Sequence, residues 1–225
     1  MPVSDFGVPP HVLALPYLAR VTDVRDPDNL ARVKVELYAH DTTSDAALWA
    51  RVASPFAGAS RGGFFIPQVD DEVLVVFVGG DARHPVVVGG LWNGAATPPE
   101  TIESTVNIWS ITGKAGTRIA IVEESDATAR IECSTPGGVT LTMTDESGGK
   151  TTIECAGNTI TIDTQGVSIQ AAAKVKVQAA QVEVSAGMVK VDAAMSKFSG
   201  VIKCDTLITN AVVSSSYTPG AGNIW

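Results

Sequence analysis

The chain has no CxxC pair, no excess of basic charge and no apolar run of membrane-spanning length. Its three cysteines stand at 133, 155 and 204, separated by 22 and 49 residues, which matches neither a zinc site nor a redox dithiol. Cys155 falls on an inward strand position and Cys133 alternates with Ile131, so buried free thiols serving as small apolar residues are expected. The longest apolar run, Val73 to Val78, is far too short to cross a bilayer. Near the start, Asp5 and prolines at 2, 9, 10 and 16 stand where a signal peptide needs a basic stretch followed by an apolar core. No signal peptide is expected, and assembly in the cytoplasm follows. Sixteen Lys and Arg against 24 Asp and Glu give a net charge of −8, or −24 for three copies, which argues against a phosphate-backbone partner. Helix-like periodicity is also scarce, and 21 Gly with 12 Pro point to an all-β protein.

What the chain does have is a repeat. Between Ile153 and Asp192, apolar pairs separated by one polar residue fall at Ile153/Cys155, Ile160/Ile162, Val167/Ile169, Val175/Val177, Val182/Val184 and Val189/Val191. Their starts are spaced by 7, 7, 8, 7 and 7 residues. Each short segment therefore has one apolar and one polar face, as a half-buried strand does. A heptad coiled coil would space its apolar residues alternately by 3 and 4 instead, and would use fewer β-branched side chains. Between the pairs stand Gly157-Asn158, Gln165-Gly166, Ala171 to Ala173, Ala179-Ala180 and Ala186-Gly187, small or turn-forming residues suited to tight corners.

Twelve inward side chains cannot offset the backbone entropy of ordering some 40 residues. A single-chain β-solenoid usually needs about 20 residues or more to close a coil. A step of 7 to 8 residues is therefore read as one strand and one corner, with other chains completing each layer. The expected structure is an intertwined homotrimeric β-helix, or β-prism, with the twelve paired residues on the axis. An up-and-down sheet of short strands within one chain is the alternative.

Ahead of the repeat, strand signals are dense at Leu15 to Val24, Arg32 to Leu37, Leu48 to Ala53, Gly63 to Ile66, Glu72 to Val78 and Pro85 to Leu91, with turns at Asp26 to Asn29, Gly79 to Asp81 and Asn93-Gly94. Five or six short strands in about 80 residues fit a small closed barrel of the OB type. The expected organisation is an arm over 1–12, an OB-fold domain over 13–94, a linker over 95–105, a β-meander neck over 106–150, the trimeric β-helix over 151–213 and a distal segment over 214–225. The meander strands are expected at Ile108 to Thr112, Arg118 to Val122, Ala129 to Cys133 and Val139 to Met143.

Two polar groups invite a chemical reading. Asp70-Asp71-Glu72 resembles an acid or metal cluster, yet it sits in a turn where carboxylates are simply solvated. Asp41, Asp81 and His84 contain the residue types of a hydrolytic set, but nothing in the sequence brings them together. No catalytic, metal or cofactor site is expected.

The segments Ala31-Arg-Val-Lys-Val-Glu-Leu37, Trp49-Ala-Arg-Val-Ala53, Gly63-Phe-Phe-Ile-Pro-Gln-Val-Asp-Asp-Glu-Val-Leu-Val-Val-Phe77 and Gly80-Asp-Ala-Arg-His-Pro-Val-Val-Val-Gly-Gly-Leu-Trp-Asn-Gly94 resemble the OB domain of central spikes in contractile injection machines. That family comprises baseplate assembly protein V of contractile-tailed phages and the equivalent region of VgrG in type VI secretion. Its members continue from the barrel into a trimeric β-helix, so the resemblance covers almost the whole chain. One departure is Asp70, where the family commonly has Gly.

The resemblance implies a mechanical function: a homotrimeric spike on a phage tail, tailocin or extracellular injection particle that pierces the target cell envelope. A separate trimeric baseplate hub is expected to seat the barrel, because the chain begins almost directly at it. Some relatives hold iron near the apex through His-x-His, which His11, His40 and His84 do not form. Others insert a lysozyme domain, for which the linker is too short. In relatives a small PAAR-repeat protein caps the blunt end, and Tyr217, Pro219, Ile224 and Trp225 are the expected docking residues for such a tip. Two other readings are a trimeric glycan-binding or glycan-cleaving tailspike, which needs paired carboxylates along a groove, and an OB-type nucleic-acid binder, which needs a basic, aromatic-rich groove.

Overall fold

A computed structural model describes residues 15–38, 47–123 and 129–215. Among these the chain is all-β apart from two single-turn 3-10 segments, Val78–Gly80 and Glu146–Gly148.

Five strands close a barrel: β1 (Tyr17–Asp23), β2 (Val33–Leu37), β3 (Leu48–Val52), β6 (Glu72–Phe77) and β7 (Pro85–Leu91), in the circular order β1-β2-β3-β7-β6. All neighbours are antiparallel except β3 and β7, which run parallel where Arg51 faces Val86 and Val52 faces Val87. The alternating pattern dictates the filling. Ala19 and Val21, Val33, Val35 and Leu37, Ala50, Val73, Val75 and Phe77, and Val87 all point inward and form one buried cluster, while the residues between them face out. Tyr17 meets the ring of Phe77 edge-on at 5.7 Å and seals one end.

The expected strand at Gly63 to Ile66 does not form. The barrel circuit is already complete, so this segment finds no free edge. A two-residue hairpin of β4 (Ala57–Gly58) and β5 (Arg61–Gly62) precedes it. Ser54 Oγ ties the loop together by donating to the carbonyl of Gly63 at 2.6 Å.

The β1–β2 loop is organised by Asp26. Its carboxylate accepts from the backbone N–H groups of Asp28, Leu30 and Arg32 at 3.1, 2.8 and 3.1 Å. The Arg32 guanidinium donates to it at 2.6 Å and reaches Asp28 at 2.5 Å.

Beyond the linker, seven strands form one antiparallel sheet in sequence order: β8 (Ile108–Thr112), β9 (Arg118–Glu123), β10 (Ala129–Ser134), β11 (Thr140–Thr144), β12 (Lys150–Cys155), β13 (Asn158–Asp163) and β14 (Gly166–Gln170). This corrects two expectations. The boundary at 150/151 falls inside the sheet, and the first three apolar pairs, from Ile153/Cys155 to Val167/Ile169, lie on hairpin strands of one chain rather than on strands joined by corners. Turn chemistry is the reason. Ala156 and Gly157 both have positive φ, 48° and 78°, and form a two-residue loop between the facing residues Cys155 and Asn158. Such a loop folds the chain straight back on itself.

Residues 171–215 contain no helix or strand, and the described residues from Val175 to 215 belong to a second unit. Residues 216–225, which include Tyr217, Pro219, Ile224 and Trp225, lie outside the described residues, as do Asp41, His11 and His40.

Candidate functional site

The register of the seven-stranded sheet places two apolar rows on one face. Trp109, Ile121, Ile131, Met143, Thr151, Ile162 and Val167 are consecutive cross-strand neighbours from β8 to β14. The second row runs Ile111, Ile119, Cys133, Leu141, Ile153, Ile160 and Ile169. At the usual strand spacing these rows cross about 30 Å of sheet. The opposite face is polar apart from the buried Ala120 and Val122 and the flanking Ile108, with Ser110, Ala120, Glu132, Thr142, Thr152, Thr161 and Ser168 forming the central row.

The polar face carries its own supports. Arg118 donates to Glu100 of the linker at 2.7 Å and to Glu132 at 2.6 Å, and Arg130 also pairs with Glu132. Hydrogen bonds from Arg118 and Arg130 hold the Glu100 and Glu132 carboxyls below the usual glutamate range. Lys114, in the β8–β9 turn, donates to Gln68 of the barrel at 3.1 Å.

Among the described residues nothing covers the apolar face. Ile153, Ile160, Ile162, Val167 and Ile169 remain 37 to 68% exposed. Soluble monomers rarely show apolar patches beyond about a few hundred Å², and eleven large apolar residues of these rows are exposed here. In the second unit the pairs Val175/Val177, Val182/Val184 and Val189/Val191 are 58 to 71% exposed, on backbone that has no strand partner. Cys155 is exposed and Cys133 half-buried, so a single chain does not bury its thiols as expected.

The polar clusters are occupied structurally. In the Asp70-Asp71-Glu72 turn, Asp71 accepts from the Gln68 backbone N–H at 2.7 Å, Glu72 accepts from Asn93 Nδ2 at 2.8 Å, and Asp70 faces Arg20 at 3.7 Å. The β6–β7 turn does bring His84 Nδ1 to 3.5 Å from Asp81, a closeness the sequence did not reveal. Asp81 is committed to Arg83, whose side chain and backbone N–H hold its carboxyl well below the aspartate range. Among the described residues no three His, Cys, Asp or Glu are placed to hold a metal ion.

Residues 17–92, the span of the barrel, match the model of the type VI secretion system/phage-baseplate injector OB domain. Residues 130–195 match that of the phage baseplate V C-terminal trimerisation domain. The chain belongs to the phage baseplate V family. Its curated relatives include VgrG spike proteins of type VI secretion systems. It is 35% identical over 75 residues to VgrG1a of Pseudomonas aeruginosa, covering 32% of this chain and 12% of that protein. It is 32% identical over 114 residues to VgrG2a of the same organism, covering 48% of this chain and 13% of that protein. It is 36% identical over 76 residues to VgrG3 of Vibrio cholerae, covering 32% of this chain and 7% of that protein. The chain thus spans roughly a tenth of the length of these relatives. The trimerisation match starts at β10 and includes most of the apolar face and all three exposed Val pairs.

Proposed function

We propose that three copies of this chain form the rigid central spike of a contractile injection machine. The uncovered apolar surface of the trimerisation region carries this reading. Three such faces turned toward one axis exclude water from all of them at once, and the backbone of residues 171–215, which forms no strand in the single chain, gains ladder hydrogen bonds from neighbouring chains. In the trimer the sheet residues Ile153, Cys155, Ile160, Ile162, Val167 and Ile169 and the later pairs Val175, Val177, Val182, Val184, Val189 and Val191 form the core, and the chains intertwine as a β-helix beyond Gln170. Stiffness follows from interchain ladders around a continuous dry axis.

In this reading the barrel seats the spike on a separate trimeric baseplate hub. The segment containing Tyr217, Pro219, Ile224 and Trp225 docks a PAAR-type tip protein, and the particle passes through the target envelope ahead of the tube. The work is mechanical: no catalytic group, metal or cofactor takes part. Assembly takes place in the cytoplasm of the producing cell. Among the described residues no helix is long and apolar enough to cross a membrane.

Light scattering on the purified chain tests the proposal. A particle of three times 23.3 kDa is expected, and a stable folded monomer overturns it.

A further inference from the structure

Two adjoining hollows on the outside of the barrel share Leu30 and Arg51 and together form one groove. The first, of about 600 Å³, lies under the β4–β5 hairpin and includes Arg61, Phe64 and Phe65. The second, of about 480 Å³, runs past Arg32 and Trp49 to Arg83 and His84. In a chain of net charge −8, every charged residue lining this groove is basic, and no carboxylate lines it among the described residues.

The charges there are not equivalent. Arg32 is bound to Asp26 and Asp28, and Arg83 to Asp81. Arg51 and Arg61 pair with no carboxylate among the described residues. The Arg32 guanidinium lies 5.9 Å over the Trp49 ring and holds that wall in place. At the other end Phe64 and Phe65 are 78 and 61% exposed, on a loop anchored by Ser54.

We propose that this groove binds an acidic segment of a partner protein, two of whose carboxylates flank an apolar residue. The carboxylates engage Arg51 and Arg61, for which guanidinium is the preferred bidentate partner. The apolar residue packs against Phe64 and Phe65, the aromatic type that anchors interfaces. The proposal deepens the seating step of the spike reading, on which it rests for the source of the segment: the protein that carries the barrel. A nucleic-acid strand fits less well, since two uncompensated guanidiniums offer no continuous track for phosphates, and the whole chain is acidic.

The test uses the full-length chain and the peptide Glu-Glu-X-Glu-Glu, in which X is photoreactive benzoylphenylalanine. After irradiation, crosslinks located by mass spectrometry are expected within 49–66 and 83–86. Arg51→Glu combined with Arg61→Glu reverses two exposed charges without touching the core. It should lower the crosslink yield roughly tenfold or more, and the matching peptide with Lys in place of Glu should restore it. Crosslinks scattered over the surface, or a yield unchanged in the variant, overturn the proposal. So does oligothymidylate binding that the double variant abolishes where the peptide fails to crosslink, because the groove is then a nucleic-acid site. Particle mass is read on the same samples, so failure of the groove is distinguished from failure of the trimer.

Discussion

Ile153 of β12 stands directly opposite Ile160 of β13, and both remain exposed in the single chain. Cross-strand β-branched pairs stabilise a sheet through their mutual contact, but here the outer side of the pair stays open to solvent among the described residues. That relationship makes the strongest prediction. Ile153→Asp, or Val177→Asp in the second unit, brings three like charges into a dry axis at several kcal/mol per ion. The trimer should dissociate or fail to form. Thr152→Asp, one residue away on the polar face, should leave it intact. Sedimentation of the three variants decides the matter, and equal behaviour of Ile153→Asp and Thr152→Asp would place the interface elsewhere.

Asp26 predicts an acid-sensitive barrel. Hydrogen bonds from Arg32 and from three backbone N–H groups depress its folded pKa. For a carboxyl depressed in the folded state, the stabilisation is fully present above the unfolded value of about 3.9 and is lost as pH falls from there through the folded value. Asp26→Asn should therefore lower the thermal midpoint at neutral pH. The gap to the parent chain should narrow steadily as the pH falls below about 4.

Asp70 occupies left-handed backbone, with φ at 75°. Glycine, which the resemblance to the spike family leads one to expect at this position, takes that conformation without strain. Asp70→Gly should be neutral or slightly stabilising, whereas Asp70→Val should cost ~1–2 kcal/mol, because a β-branched side chain crowds the carbonyl in this conformation. Chemical denaturation midpoints of the two variants give the comparison.

Purified protein should contain no stoichiometric iron or zinc by elemental analysis and should leave peptidoglycan zymograms uncleared. Asp81 and His84 are the nearest approach to a catalytic pair among the described residues, and Arg83 already neutralises the carboxylate. One metal ion per trimer, or a cleared zone, would contradict a purely mechanical role.

Deleting residues 217–225 should leave the trimer assembled, since the twelve axial residues are untouched, and should abolish capture of the cognate PAAR protein in a pull-down. Normal capture by the truncated spike, or loss of the trimer, would remove the docking role of Tyr217, Pro219, Ile224 and Trp225.

The period-two alternation carried most of the strand positions. Pro85–Leu91 and Ile108–Thr112 begin and end where the sequence placed them, because a half-buried strand writes its inside and outside into successive residues. The barrel core was legible for the same reason, and the family from the barrel motif. Partners were not legible, since an alternating strand looks the same whether it continues a hairpin or docks on another chain. The turns at Ser147 to Gly149 and at Ala156-Gly157 and the parallel closure of Arg51 against Val86 made those choices. They joined β12 to β14 onto the meander and left Gly63 to Ile66 outside the barrel. The basic groove likewise arises only on folding, when closure of β3 on β7 brings Arg51 alongside Arg83 and His84. The sequence alone determined where most strands of the barrel and the sheet lie and which of their faces are apolar, because alternation is a local property. The tertiary structure decided which strand meets which and which charges share a surface, because these depend on closing loops between residues far apart in the chain.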